Sequence, residues 1–225
     1  MGKNTAAHLT AFLTILIWGT TFIATKVLLR DFTPVEILFS RFTLGFLALS
    51  CVPGGIHFTT FRNELLFAGA GFSGVTLYFL FENIALQYTL VSNVGILVTI
   101  APFFTALLSR FFGKKEPLYP AFFIGFLLAL GGIALISFNG SVILKLNPAG
   151  DILAILAALV WAVYSIFMKR IGELGYPMIP ATRRVFFYGL LLMIPALFFM
   201  DFHPALRQML KPVNLFNFAY LGLGA

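Results

Sequence analysis

The chain has 225 residues, of which 60% are hydrophobic and only 10% charged, with a mean hydropathy of +0.98 and 28 phenylalanines. Soluble domains carry about 25% charged residues, so this composition excludes an ordinary water-soluble domain and describes an all-α integral membrane protein. The net charge of +7 is therefore no sign of nucleic-acid binding; in such a chain Lys and Arg set topology and reach for lipid headgroups.

A membrane helix needs ~20 apolar residues at a rise of about 1.5 Å each. Seven segments meet this: 7–29, 34–52, 65–86, 91–112, 117–138, 150–171 and 178–200. The first follows Lys3 and a short polar stretch, and is too long for the apolar core of a secretion signal. Pro34 opens the second, after the turn Arg30 to Thr33. Cys51, the only cysteine, ends it, so no intramolecular disulfide forms. The third and fourth are joined by Gln87 to Leu90, and Pro117 and Pro120 begin the fifth. The longest connector, 139–149, holds Asn139-Gly140 and Asn147-Pro148 as breakers and divides the chain into 1–138 and 150–225.

That division coincides with an internal repeat. A shift of 143 residues carries Trp18 onto Trp161, Lys26 onto Lys169, Pro34 onto Pro177 and Arg41 onto Arg184 without a gap. Leu13, Leu16 and Ile23 fall on Leu156, Leu159 and Ile166 in the same register. Apolar repeats of this kind mark secondary transporters built from two structural halves. An odd number of helices per repeat, five, inverts the second half relative to the first. An eighth apolar segment, from near Leu215 to Ala225, spans about 16 Å, half of a ~30 Å hydrocarbon core. The second repeat is thus expected to break off at its third helix, leaving about seven complete helices of ten.

Basic residues give a weak topological bias. With the N-terminus inside, Lys3, Arg62, Arg110, Lys114, Lys115, Lys169 and Arg170 lie inside, against Lys26, Arg30, Lys145, Arg207 and Lys211 outside.

Polar and aromatic groups within spans are the candidates for function. Trp18 and Trp161 lie deep in their spans rather than in an interfacial belt, and are expected either to line a central cavity or to pack on small residues such as Gly19 and Ala162. Glu82 and Asn83 form a polar pair near the end of the third span, and Tyr78 lies one turn away on the face of Glu82. A carboxylate in hydrocarbon is costly unless protonated, paired or wet. Glu82 is accordingly read as a proton or substrate site, or as an acid reaching headgroups or pairing with Lys26 or Arg30. Arg41 and Arg184 follow their prolines by seven residues; with Lys26 and Lys169 they are read as structural or charge-pairing groups. Small residues at Ala70/Gly74, Gly125/Ala129 and Gly131-Gly132 predict close helix contacts. His8, His57 and His203 lie at span ends or in loops and show no metal-ligand spacing; no nucleophile–base pair or phosphate-binding loop marks an enzyme, and no cofactor is expected.

The run Leu16-Ile17-Trp18-Gly19-Thr20-Thr21-Phe22-Ile23-Ala24-Thr25-Lys26, then Pro34 and Arg41, with Pro102 in the fourth span and Glu116 after it, resembles the opening of EamA-type proteins of the drug/metabolite transporter superfamily. The resemblance implies ten helices in inverted five-helix repeats. It also implies export or exchange of small polar metabolites, often amino acids, across a cell membrane of the cytoplasmic type. A small-molecule substrate and the lipid bilayer are the implied partners, with energy from a proton gradient or from exchange. Trp18, Tyr78, Glu82, Asn83 and Trp161 are the expected substrate-binding residues. Flipping of lipid-linked substrates, a membrane-embedded enzyme and a membrane sensor are the alternatives.

Overall fold

The computed structural model describes residues 3–54, 58–112, 119–137, 147–203 and 205–225. Among these the chain is helical throughout, with α1 at Lys3–Leu28, α2 at Pro34–Ser50, α3 at Phe61–Tyr88 and α4 at Val91–Phe112. Then come α5 at Pro120–Ser137, α6 at Pro148–Glu173, α7 at Met178–Phe199, the single turn α8 at Leu206–Met209 and α9 at Pro212–Ala219. Most of the predicted connector, 138–146, and the basic pair Lys114 and Lys115 with Glu116 lie outside the described residues, as do His57 and Lys145.

Helices α1, α3, α4, α6 and α7 are long and apolar enough to cross a membrane, and Pro120–Gly132 within α5 is a shorter apolar helix. The all-α membrane fold expected from the sequence is thus the one observed, with α2 and α5 the shorter apolar helices among the described residues. Helix α2 has 17 residues because both of its ends are capped. Thr33 N–H donates to Glu36 Oε2 at 2.8 Å while Thr33 Oγ1 accepts from Glu36 N–H at 3.4 Å, a reciprocal capping box with Pro34 at the first helical position. At the other end Ser50 Oγ bonds back to Phe46 O, and Pro53 with Gly54 at φ +108° turns the chain. The third span starts four residues earlier than expected, since Glu64 caps its first turn by accepting from Thr59 N–H at 2.7 Å.

Helix α6 is the central post. Ala154, Ala157, Ala158 and Ala162 recur at helical spacing and are all fully buried, so this small-residue face lets α3 and α4 approach closely. The main core gathers Leu38 and Phe42 of α2, Phe67, Ala70 and Val75 of α3, Ile171 of α6, and Ala181, Val185 and Met193 of α7. Between α6 and α7 the turn closes on Gly175, whose φ of +72° suits only glycine, and Gly175 N–H donates to Gly172 O at 3.1 Å.

Helix α3 is not uniformly α-helical. It winds as a π-helix over Gly71–Leu77, where it crosses α7, and the chain winds the same way at Tyr220–Gly224, after α9, where it crosses α2. Both crossings are made on glycine. A Cβ on Gly71 would lie 2.5 Å from Gly189 N, and one on Gly222 would lie 2.9 Å from Arg41 O. The two crossings are alike: α3 grips α7, and the chain after α9 grips α2.

The small-residue expectation holds for α3, where Gly69 and Gly74 seat the rings of Phe167 and Tyr164. It fails for α5. A Cβ on Gly125, Gly131 or Gly132 would meet nothing within 4 Å. Phe103 of α4 stacks on Phe126, centroids 4.8 Å apart, and on Phe122 at 6.5 Å, so α5 meets α4 through phenylalanine rings rather than through these glycines.

Candidate functional site

Four aromatic rings meet beside α6. Trp161 stands edge-to-face to Trp18 of α1 (5.8 Å between centroids, 86° between planes), and tilts against Tyr78 of α3 at 4.6 Å and Tyr164 of α6 at 4.9 Å. Trp161 also lines a cavity of about 390 Å³ with Ala101, Pro102, Thr105 and Ala106 of α4 and Ser165 of α6. The cavity exists because α4 is broken. Pro102 has no N–H to give Val98 O, so α4 divides into Val91–Val98 and Ala101–Phe112 around a tight turn at Thr99–Ile100. The hydroxyls of Thr105 and Ser165 donate to Ala101 O and Trp161 O at 2.9 Å each, which keeps them satisfied without an outside partner.

Behind the rings lies a charge pair without a direct bond. Tyr78 is buried and lies one helical turn before Glu82 on the same face of α3. Arg41 of α2, also buried, is the cation that acts on Glu82 through space. Its guanidinium lies 4.3 Å from the centroid of Phe79 and 5.2 Å from that of Phe42. Among the described residues Arg41 Nη1 and Glu82 Oε1 have no hydrogen-bond partner.

Trp18, Tyr78 and Trp161 are thus brought together, and Glu82 stands behind Tyr78. Glu82 neither reaches headgroups nor pairs with Lys26 or Arg30: it is 2% exposed, and the Lys26 ammonium donates to Leu86 O instead. Asn83 turns away, its Nδ2 donating to Pro34 O at 3.1 Å, and so ties α3 to the start of α2. Arg184 makes the ion pair that Arg41 lacks, its Nη1 lying 3.3 Å from Glu64 Oε1 with its guanidinium 4.5 Å from the Phe67 centroid. Lys169 is exposed at the end of α6.

Sequence reasoning missed Tyr164, Thr105, Ser165 and Glu64. Tyr164 and Ser165 follow Trp161 by three and four residues and so share its face, a signal that was there to read. Glu64 sits in what read as a loop, and nothing local points to Arg184.

Outside the membrane-spanning segments, Asp31 accepts from Asn214 Nδ2 at 2.7 Å and from Lys211 Nζ at 3.3 Å. The bond from Asn214, the largest influence, together with the bond and charge of Lys211 holds the carboxyl below the usual carboxylate range, against burial, which pushes it up.

A model of the EamA-like transporter family matches residues 5–138, more than half of the chain. The chain belongs to the EamA-like transporter family. This EamA-like protein is 30% identical over 197 residues to an uncharacterized transporter of Archaeoglobus fulgidus, covering 85% of this chain and 67% of that relative. It is 27% identical over 216 residues to the uncharacterized transporter YdfC of Bacillus subtilis, covering 94% of this chain and 68% of the relative. A solved crystal structure shares its fold with a TM-score of 0.67 at 21% identity, over 97% of this chain and 74% of the other. The EamA-like chain is therefore a multi-pass membrane protein of a transporter family, and it spans about two thirds of the length of these two relatives.

Proposed function

We propose that this protein moves a small organic metabolite of amino-acid size across a cytoplasmic-type cell membrane by alternating access, with the two halves rocking about the site at Trp161. The observation that carries the reading is the cavity of about 390 Å³ beside the Pro102 break, walled by Trp161 and backed by Tyr78 and Glu82. Broken helices beside a cavity expose backbone carbonyls where a solute needs them. Trp161 supplies an aromatic face for an apolar or cationic portion of the substrate. Tyr78 is the group through which Glu82 would sense a substrate amine or exchange a proton.

Export or exchange is the favoured direction, with the N-terminus inside. Lipid-linked flipping is supported less, because the two hydroxyls of the lining are both bonded to helix carbonyls and form no polar groove for a headgroup.

The test is counterflow in proteoliposomes with a labelled amino-acid panel. Accumulation of at least one member that slows roughly tenfold in Trp161→Ala supports the reading. Absence of accumulation for the panel, with correctly inserted protein, overturns the substrate class.

A further inference from the structure

The repeat-equivalent arginines, Arg41 and Arg184, both pack on the same helix, α3, at opposite ends of it. Each guanidinium lies over a phenylalanine ring of α3, Arg41 over Phe79 and Arg184 over Phe67. Each has a glutamate of α3 and a tyrosine as neighbours: Glu82 and Tyr78 for Arg41, Glu64 and Tyr188 for Arg184. The chemistry is the same at both ends, and the state is not. At the Glu64 end the carboxylate is fully engaged. Oε1 accepts from Arg184 at 3.3 Å and from Thr59 N–H and Oγ1 at 2.7 and 3.0 Å, and Oε2 accepts from Tyr188 at 2.7 Å. At the Glu82 end, among the described residues, no ion pair joins Glu82 to Arg41, and Glu82 Oε1 and Arg41 Nη1 are buried without partners. Buried polar atoms without hydrogen-bond partners are costly in apolar surroundings, and a movement of α2 toward α3 that joined Arg41 Nη1 to Glu82 Oε1 would remove that cost.

Between the two ends lies a crossing suited to such movement. Gly71 and Gly189 bring the backbones of α3 and α7 into contact, and Thr76 Oγ1 donates to Gly189 O at 2.9 Å across it. Val75 packs on Gly189 there, and the π-helical winding of Gly71–Leu77 gives α3 an irregular segment at the crossing.

We propose that Glu64–Arg184 and Glu82–Arg41 are alternating latches, one at each end of α3, of which the first is closed and the second open in this structure. Breaking the first frees α7 to swing about the Gly71–Gly189 contact, while α2 closes on Glu82. This rests on the alternating-access reading and adds to it the residues that hold each state.

The two latches act in opposite directions, which a single accessibility measurement resolves. Cys51→Ala combined with Ser165→Cys leaves one reporter thiol in the cavity wall. Its labelling by a membrane-impermeant maleimide is read from each face in oriented vesicles, with monodispersity in detergent confirming the fold. Glu64→Gln keeps the shape of the side chain and is expected to speed labelling from the Glu64 end roughly tenfold and to slow it from the Glu82 end. Glu82→Gln is expected to do the reverse, and the double variant to return toward the starting rates. Equal acceleration from both faces, unchanged rates in Glu64→Gln, or shifts of the same sign in both variants would overturn the latches. A reporter reached from one face only in every variant would sink alternating access itself.

Discussion

Trp18 and Trp161, equivalent in the 143-residue register of the chain, touch edge to face with ring centroids 5.8 Å apart. They are the only tryptophans, so fluorescence can be assigned to one or the other. Trp161 borders the cavity, while Trp18 is 50% exposed on α1 and is not among the lining residues.

Quenching by a transported substrate should therefore persist in Trp18→Phe and be lost in Trp161→Phe. Trp161→Ala removes contacts to Tyr78 and Tyr164 worth ~0.5–1.5 kcal/mol each and should slow transport roughly tenfold. Quenching retained in Trp161→Phe would move the site away from this cavity.

Glu82→Gln should leave expression and monodispersity intact, because the amide still fits beside Tyr78. If the carboxylate makes a charge-assisted bond to a substrate amine, worth ~1.5–3 kcal/mol, transport should fall roughly ten- to hundredfold. Unchanged counterflow would reduce Glu82 to a packing group.

Glycine substitutions should separate crossings from lipid-facing positions. Gly71→Ala drives a methyl into Gly189 N and Val185 O, both backbone atoms that cannot yield, and should cost about 2–3 kcal/mol or abolish folding. Gly125→Ala meets open space and should change stability by less than about 1 kcal/mol. Thermal unfolding in detergent measures both, and similar losses would contradict the exposed setting of α5.

Asp31 predicts a pH dependence whose sign is fixed. Its folded-state pKa lies below the ordinary value, so its contribution to stability is full above the unfolded carboxylate pKa and disappears as pH falls through the folded one. Asp31→Asn should accordingly lower the melting temperature at neutral pH and converge on the parent protein in acid. A difference that grew on acidification would contradict the bonds to Asn214 and Lys211.

Membrane class and the extent of the long spans were legible in the chain, since apolar runs of membrane length are a linear property. Helix α4 begins and ends where its apolar run does, at Val91 and Phe112. Trp18, Tyr78 and Trp161 stood out for the same reason: a large or polar ring deep in an apolar span needs a partner. What local sequence could not supply was the partner itself. Glu82 looked shallow by counting residues from the span end, yet helix packing buries it, as it buries Arg41 of α2 against Phe79 of the same helix. Arg41 and Arg184 are equivalent in the chain, but only Arg184 closes an ion pair, because Glu64, 120 residues away, lies within 3.3 Å of it. The glycines of α3 and α5 are alike in spacing, and only those of α3 became crossings, because α6 and α7 stand against them while α5 meets α4 through phenylalanine rings. Burial along the chain follows from composition; which charges meet, and at which end of α3, depends on helix packing between distant segments.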